Sequence, residues 1–105
     1  MTTPQTPASK FLLILTYAKP LEEVDAFLPA HKEFLSKGYE AGKILFSGRR
    51  TPRIGGVILV RGGSAEEVRA FEDGDPFVRN GVATYEIIEF TPSRAADNLD
   101  ELMMS

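Results

Sequence analysis

Lys10-Phe11-Leu12-Leu13-Ile14-Leu15-Thr16-Tyr17 is the stretch whose reading decides the fold. The run is short, apolar and bounded by polar residues, the signature of a buried strand. Successive side chains of a strand point to opposite faces. Phe11, Leu13, Leu15 and Tyr17 therefore share one face, and Leu12 and Ile14 share the other. Both faces are apolar, whereas a strand with one face in water alternates. Whatever sheet contains this strand must be covered on both sides.

Working outward, Lys43 to Gly48 (KILFSG) reads as a second strand, Val57 to Arg61 (VILVR) as a third, again without alternation, and Ala83 to Thr91 (ATYEIIEFT) as a fourth. Arg49 to Gly56 (RRTPRIGG) is the turn joining two of them. Between the first strand and Lys43, the spacing of Leu28, Phe34, Leu35 and Tyr39 predicts an amphipathic helix from Leu28 to Ala41. Pro29 fits its first turn, where a missing N–H costs nothing, and Gly42 fits just past its end. On this reading Pro20 to Phe27 is a linker or a short helical turn. Lys32, Glu33, Lys37 and Glu40 form a solvated face, and Glu22, Glu23, Asp25, Glu66 and Glu67 serve solvation. Ser64 followed by Glu67 is a capping box, so a second helix starts at Ala65 with Val68 and Phe71 inward. Gly74-Asp75-Pro76 interrupts it, and Asp75 can cap a short turn led by Pro76.

The order is β-α-β-β-α-β, the ferredoxin-like α+β arrangement: an antiparallel sheet with its helices on one face. The second face needs a cover. A second copy packing sheet to sheet, a two-fold homodimer forming a dimeric α+β barrel, supplies it. The competing cover is the C-terminal segment, 93–105, an arm or short helix in which Leu99, Leu102 and Met103 have helical spacing. Residues 1–9, polar with two prolines, read as a flexible tail ahead of a domain spanning 10–92.

Composition narrows the function. The chain has 105 residues, 43% hydrophobic and 26% charged, an ordinary balance for one globular domain. It has no cysteine and one histidine, which removes disulfides, thiolate zinc sites and a cysteine nucleophile. The net charge of -3 gives no reason to expect nucleic acid as a partner. No apolar run approaches the roughly 20 residues of a membrane span, and the N-terminus has no secretory pattern. A soluble, cytoplasmic protein is expected, with no bound metal and no cofactor.

His31 shares the stripe of Leu28 and Leu35, and in the first turn of its helix the dipole would disfavour its protonation. A neutral imidazole suits general acid–base work. It is equally a core histidine bonded to a backbone carbonyl. Asp75 is either a cap alone or the partner that fixes the tautomer of His31. Arg49, Arg50 and Arg53 cluster where an anionic substrate could be received, or where a hairpin tip is solvated. Ser47 and Tyr17 are candidate pocket hydroxyls.

Leu28-Pro29-Ala30-His31-Lys32-Glu33-Phe34-Leu35 resembles the Arg-Pro-Ala-His helix start of the YciI-like (YCII-related) proteins. Gly42-Lys43-Ile44-Leu45-Phe46-Ser47-Gly48 is similar to their Gly-x-Leu-x-x-Ala-Gly-Pro strand. Asp75-Pro76-Phe77 with Gly81-Val82 is similar to their Asp-Pro-Phe/Tyr-x-x-x-Gly-Val segment. The resemblance runs from about Phe11 to Pro92. It implies a dimeric α+β barrel related to muconolactone isomerases, with a histidine and an aspartate as an active-site pair, here His31 and Asp75. Some relatives eliminate chloride from chlorinated hydroquinones. Arg49 replaces the family's proline and Leu28 its arginine, two changes placed to reshape the pocket. The implied activity is a cofactor-independent lyase or isomerase, dehydrochlorination included, acting on a small cyclic or aromatic organic acid. His31 would move the proton, Asp75 would orient it, and Arg49, Ser47 and Tyr17 would contact the substrate. The alternatives are a non-catalytic binding or assembly module and a quinol-type monooxygenase.

Overall fold

The computed structural model describes residues 8–104, so most of the expected tail, residues 1–7, lies outside the described residues. β1 (Lys10–Tyr17) holds the inner position that its two apolar faces require. It pairs antiparallel with β3 (Gly55–Val60) on one side and β4 (Ala83–Phe90) on the other, and β2 (Ile44–Arg49) joins the outer edge of β3. The sheet order is β2-β3-β1-β4. α1 (Leu21–Glu40), α2 (Ala65–Glu72) and α3 (Pro76–Arg79) belong to one side of it. There Phe11, Leu13 and Leu15 pack with Val24 of α1, Val68 of α2, Phe77 of α3, and Ile58 and Val60 of β3 into one core. This is the ferredoxin-like α+β arrangement. A 3-10 turn (Asp97–Leu99) and α4 (Asp100–Met104) follow β4. Among the described residues no helix is long and apolar enough to cross a membrane.

The first helix departs from expectation. It starts at Leu21, so the expected linker over Pro20 to Phe27 is helix, and Pro29 lies inside it. The inward stripe explains why: Val24, Leu28, His31, Leu35 and Gly38 continue one face at spacings of three and four. Glu22 and Glu23 in the first turn suit the positive end of the dipole. Pro29 removes the N–H that would bond the Asp25 carbonyl. Both residues are exposed, so water can serve that carbonyl and the helix continues. Ser64 caps α2 as expected, its hydroxyl accepting from the Glu67 N–H at 3.1 Å.

β2 carries a bulge that the sequence did not reveal. Ile44 pairs with Val60, but Phe46 pairs with Leu59, so one extra residue intervenes. Past the bulge the facing of the strand is inverted. Ile44 points to the helices, Phe46 points away, and Ser47 and Arg49 point back toward the helices, opposite Ile58 and Gly56. On the far side of the sheet the register aligns Phe46, Leu59, Leu12 and Ile88 in a row across all four strands. Phe46 and Ile88 there are 52% and 42% exposed. The C-terminal segment therefore leaves this row open, contrary to the alternative in which an arm covers it.

Gly55 permits the closest approach of β3 to β1. A Cβ there would fall 1.8 Å from the Leu15 carbonyl oxygen, which cannot retreat without breaking the ladder. Gly55→Ala is expected to lower stability by about 1–3 kcal/mol or more, read from the urea midpoint at unchanged m-value.

Candidate functional site

The inward stripe of α1 carries His31 to the N-terminus of α3, where Asp75 is the cap. The His31 Nδ1 lies 2.8 Å from Oδ1 and 3.0 Å from Oδ2 of Asp75. The same Oδ1 accepts the Phe77 N–H at 3.0 Å. Asp75 is thus both the cap and the partner of His31. It is fully buried, while the His31 side chain is 12% exposed. A carboxylate only accepts, so Nδ1 carries the ring proton and Nε2 carries the lone pair. The Phe77 ring lies against the imidazole at 4.0 Å between centroids and 9° between planes. One residue therefore supplies a donor to Asp75 and a flat wall to His31. His31 sits in the middle of α1, so the expectation that a helix N-terminus tunes it is overturned: the dipole acts within the first turn, and that turn begins at Leu21.

His31 opens onto a cavity of about 530 Å³ between α1 and the β2–β3 hairpin, a size suited to a small organic ligand. Tyr17, Ser47 and Arg49 line it with His31, and Asp75 stands behind the imidazole rather than on the wall. The bulge in β2 is what turns Ser47 and Arg49 inward. Ser47 is hydrogen-bonded to the Tyr39 hydroxyl. Leu28, one of the two departures from the family pattern, lines the cavity, as does Arg49, the other.

Two residues read as solvated surface, Lys32 and Asp25, are exposed and also border the cavity. Lys32 lines the cavity, because α1 turns that edge of the stripe toward the hairpin. Asp25 pairs with Arg53, whose guanidinium holds the Asp25 carboxyl below its usual range, chiefly by the hydrogen bond. Arg53 also lies 5.8 Å from the centroid of the Tyr17 ring. Arg50 is held on β1, donating to Thr16 Oγ1 at 3.0 Å. Lys32 and Arg49 have no carboxylate partner among the described residues, so the cavity mouth offers two uncompensated cations. Among the described residues no three His, Asp or Glu side chains converge to hold a metal ion.

Sequence reasoning missed Glu72. The signal was its position four residues after the inward Val68, on the same face of α2. Glu72 is fully buried and no donor reaches either carboxyl oxygen. Burial, then a hydrogen bond to Asp75, then the charges of Asp75 and Asp73 push its pKa from 4.5 up to about 10. At neutral pH it is a carboxylic acid. In the unfolded chain the same group ionises near 4.5, so above that pH the unfolded state gives up a proton that the folded state keeps. Stability therefore falls as pH rises between the two values, by at most about 1.4 kcal/mol per pH unit from this group. Glu72→Gln is expected to flatten that slope. Denaturation of both proteins from about pH 5 to about pH 8 checks it, with the variant gaining on the parent as pH rises.

The model of the YCII-related domain family matches residues 10–91. No curated protein matches the chain. Among solved structures, the chain is similar to 5-chloro-2-hydroxyhydroquinone dehydrochlorinase from Burkholderia phenoliruptrix AC1100, in complex with 2,5-dihydroxybenzoquinone. The two share 20% identity and superpose with a TM-score of 0.67, over 77% of this chain and 92% of the other. At that identity the likeness speaks for the fold. The family match runs from β1 through β4 and includes both His31 and Asp75, and the chain belongs to the YCII-related family.

Proposed function

We propose that the chain is a cofactor-independent lyase that moves protons on a small aromatic or cyclic organic acid, with dehydrochlorination as its reaction. The observation that carries this reading is the imidazole of His31, tied by Nδ1 to a buried carboxylate and lining a cavity of about 530 Å³. Such a base has a fixed tautomer and a free Nε2, and its carboxylate stabilises the imidazolium formed in reaction. Lys32 and Arg49 favour a substrate bearing negative charge, a phenolate or a carboxylate. Ser47 and Tyr17 present hydroxyls to ring substituents.

For a chlorinated hydroxyhydroquinone the steps balance. Nε2 takes a ring hydroxyl proton as that carbon becomes a ketone, and the proton is returned to the chlorine-bearing carbon. Removal of a second hydroxyl proton then breaks the carbon–chlorine bond, leaving chloride and a hydroxyquinone. One HCl is lost and no electron acceptor is consumed. The likeness to a dehydrochlorinase supports this choice among proton-transfer reactions.

The open face of the sheet supports a homodimer. The row Phe46, Leu59, Leu12 and Ile88 is apolar across its whole width, and Phe90 beside it is 40% exposed. A two-fold partner would bury the same row of its own sheet against it.

Two experiments test these readings. The first follows chloride release from 5-chloro-2-hydroxyhydroquinone without oxygen. Turnover is expected, falling by ~10²–10⁴-fold in His31→Ala and by a smaller factor in Asp75→Asn. Turnover only with oxygen would make the chain an oxygenase. Binding of 2,5-dihydroxybenzoquinone with no turnover would make it a binding module. The second is light scattering, expected to give twice the chain's 11.6 kDa. The double variant Phe46→Glu, Ile88→Glu is expected to give a single chain. A single-chain mass for the parent at every concentration rejects the dimer.

A further inference from the structure

We propose that Glu72 is a positioning residue for His31: as a neutral carboxylic acid it donates a hydrogen bond to the Asp75 carboxylate and fixes the geometry of the Asp75–His31 pair. The proposal deepens the reading of that pair as the functional centre and rests on it.

Glu72 and Asp75 are both fully buried, three residues apart, at the junction of α2 and α3. The Asp75 N–H bonds the Glu72 carbonyl at 2.9 Å, so the backbone holds the two residues in one turn. Two neighbouring carboxyl groups without water do not both carry charge. The donors decide which keeps the proton. Asp75 accepts from the Phe77 N–H and from His31 Nδ1, so its oxygens are already turned to donors. Neither oxygen of Glu72 receives a donor. The proton therefore stays on Glu72.

Its direction follows from the same inventory. The titratable groups that face Glu72 are Asp75 and Asp73 of its own segment and Tyr85 of β4. The Tyr85 hydroxyl donates to Asp73 at 2.8 Å, so its proton is turned away from Glu72. Tyr85 also approaches the Arg69 carbonyl, at 3.4 Å. Asp73 acts on the Glu72 carboxyl by charge alone, whereas Asp75 lies within hydrogen-bonding reach of it and is the acceptor for its proton. With three donors around it, the Asp75 carboxylate loses its freedom to rotate. Held in that orientation, it keeps its acceptor oxygens on the Nδ1–H of His31. The Nε2 lone pair then stays directed at the cavity before any substrate arrives.

The test uses the whole chain and needs no substrate. His31 is the chain's one histidine, so imidazole NMR signals belong to it alone. Infrared spectra of the parent at neutral pH are expected to contain the carbonyl stretch of a protonated carboxylic acid, absent from Glu72→Gln. The Nδ1–H resonance of His31 is expected to persist in Glu72→Gln, whose amide still donates. It is expected to broaden or shift upfield in Glu72→Leu, which donates nothing. The proposal is overturned if the parent lacks the acid band, if the band survives in Glu72→Gln, or if a folded Glu72→Leu keeps the Nδ1–H resonance unchanged. Should Glu72→Leu fail to fold, the infrared comparison with Glu72→Gln decides the proposal. Failure of the dehydrochlorinase reading looks different: no chloride is released although the acid band and the Nδ1–H signal are intact.

Discussion

A carboxylate deprived of water must be met by donors, and the burial of Asp75 sets that requirement at the centre of this molecule. The short helix α3 meets part of it through the Phe77 N–H, and the long helix α1 meets the rest through His31. Because the donors come from two different helices, the hydrogen bonds also pin α1 against α3. The ring of Phe77 then closes the gap between them, stacked on the imidazole and edge-on to Tyr17 of β1 at 5.9 Å between centroids. A helix crossing, an aromatic stack and a tautomer are settled by one buried charge.

The chemistry at the cavity follows from what surrounds that charge. The imidazole has the Phe77 ring stacked on one face and is tethered at one nitrogen, which leaves the other nitrogen without a hydrogen-bond partner among the described residues. Cations stand at the mouth, where Arg53 is neutralised by Asp25 while Lys32 and Arg49 are not. The gradient runs from a dry, hydrogen-bonded interior to a positively charged rim. Under the proposed function, a flat anionic ring would meet attraction at the entrance and a base at the end.

Much of this was legible in the residues. The two apolar faces of Lys10–Tyr17 demanded an inner strand, and β1 has neighbours on both sides. Ser64 with Glu67 marked the start of α2, and Asp75-Pro76 marked α3. Spacing alone offered His31 and Asp75 as candidates but not as neighbours, because 44 residues separate them and their contact is made by packing; only the family resemblance paired them. The start of α1 was misplaced because Pro29 reads as a beginning. The chain tolerates it mid-helix since the orphaned carbonyl of Asp25 faces water. Lys32 and Glu72 were hidden by composition: a lysine beside a glutamate reads as surface, and a glutamate among acidic residues reads as solvation. Only the tertiary packing shows that one borders a cavity and the other has no water at all.

The bulge in β2 bears on how this chain is compared with its relatives. After Leu45 the inward and outward positions exchange parity, so columns of an alignment correspond in space only if the extra residue is matched there. A relative with a regular ladder needs a gap at that point. Without the gap, the column of Arg49 would pair a cavity-wall cation with a residue on the opposite surface of the sheet. Inferences about ligand preference drawn from such a column would describe the wrong side of the protein.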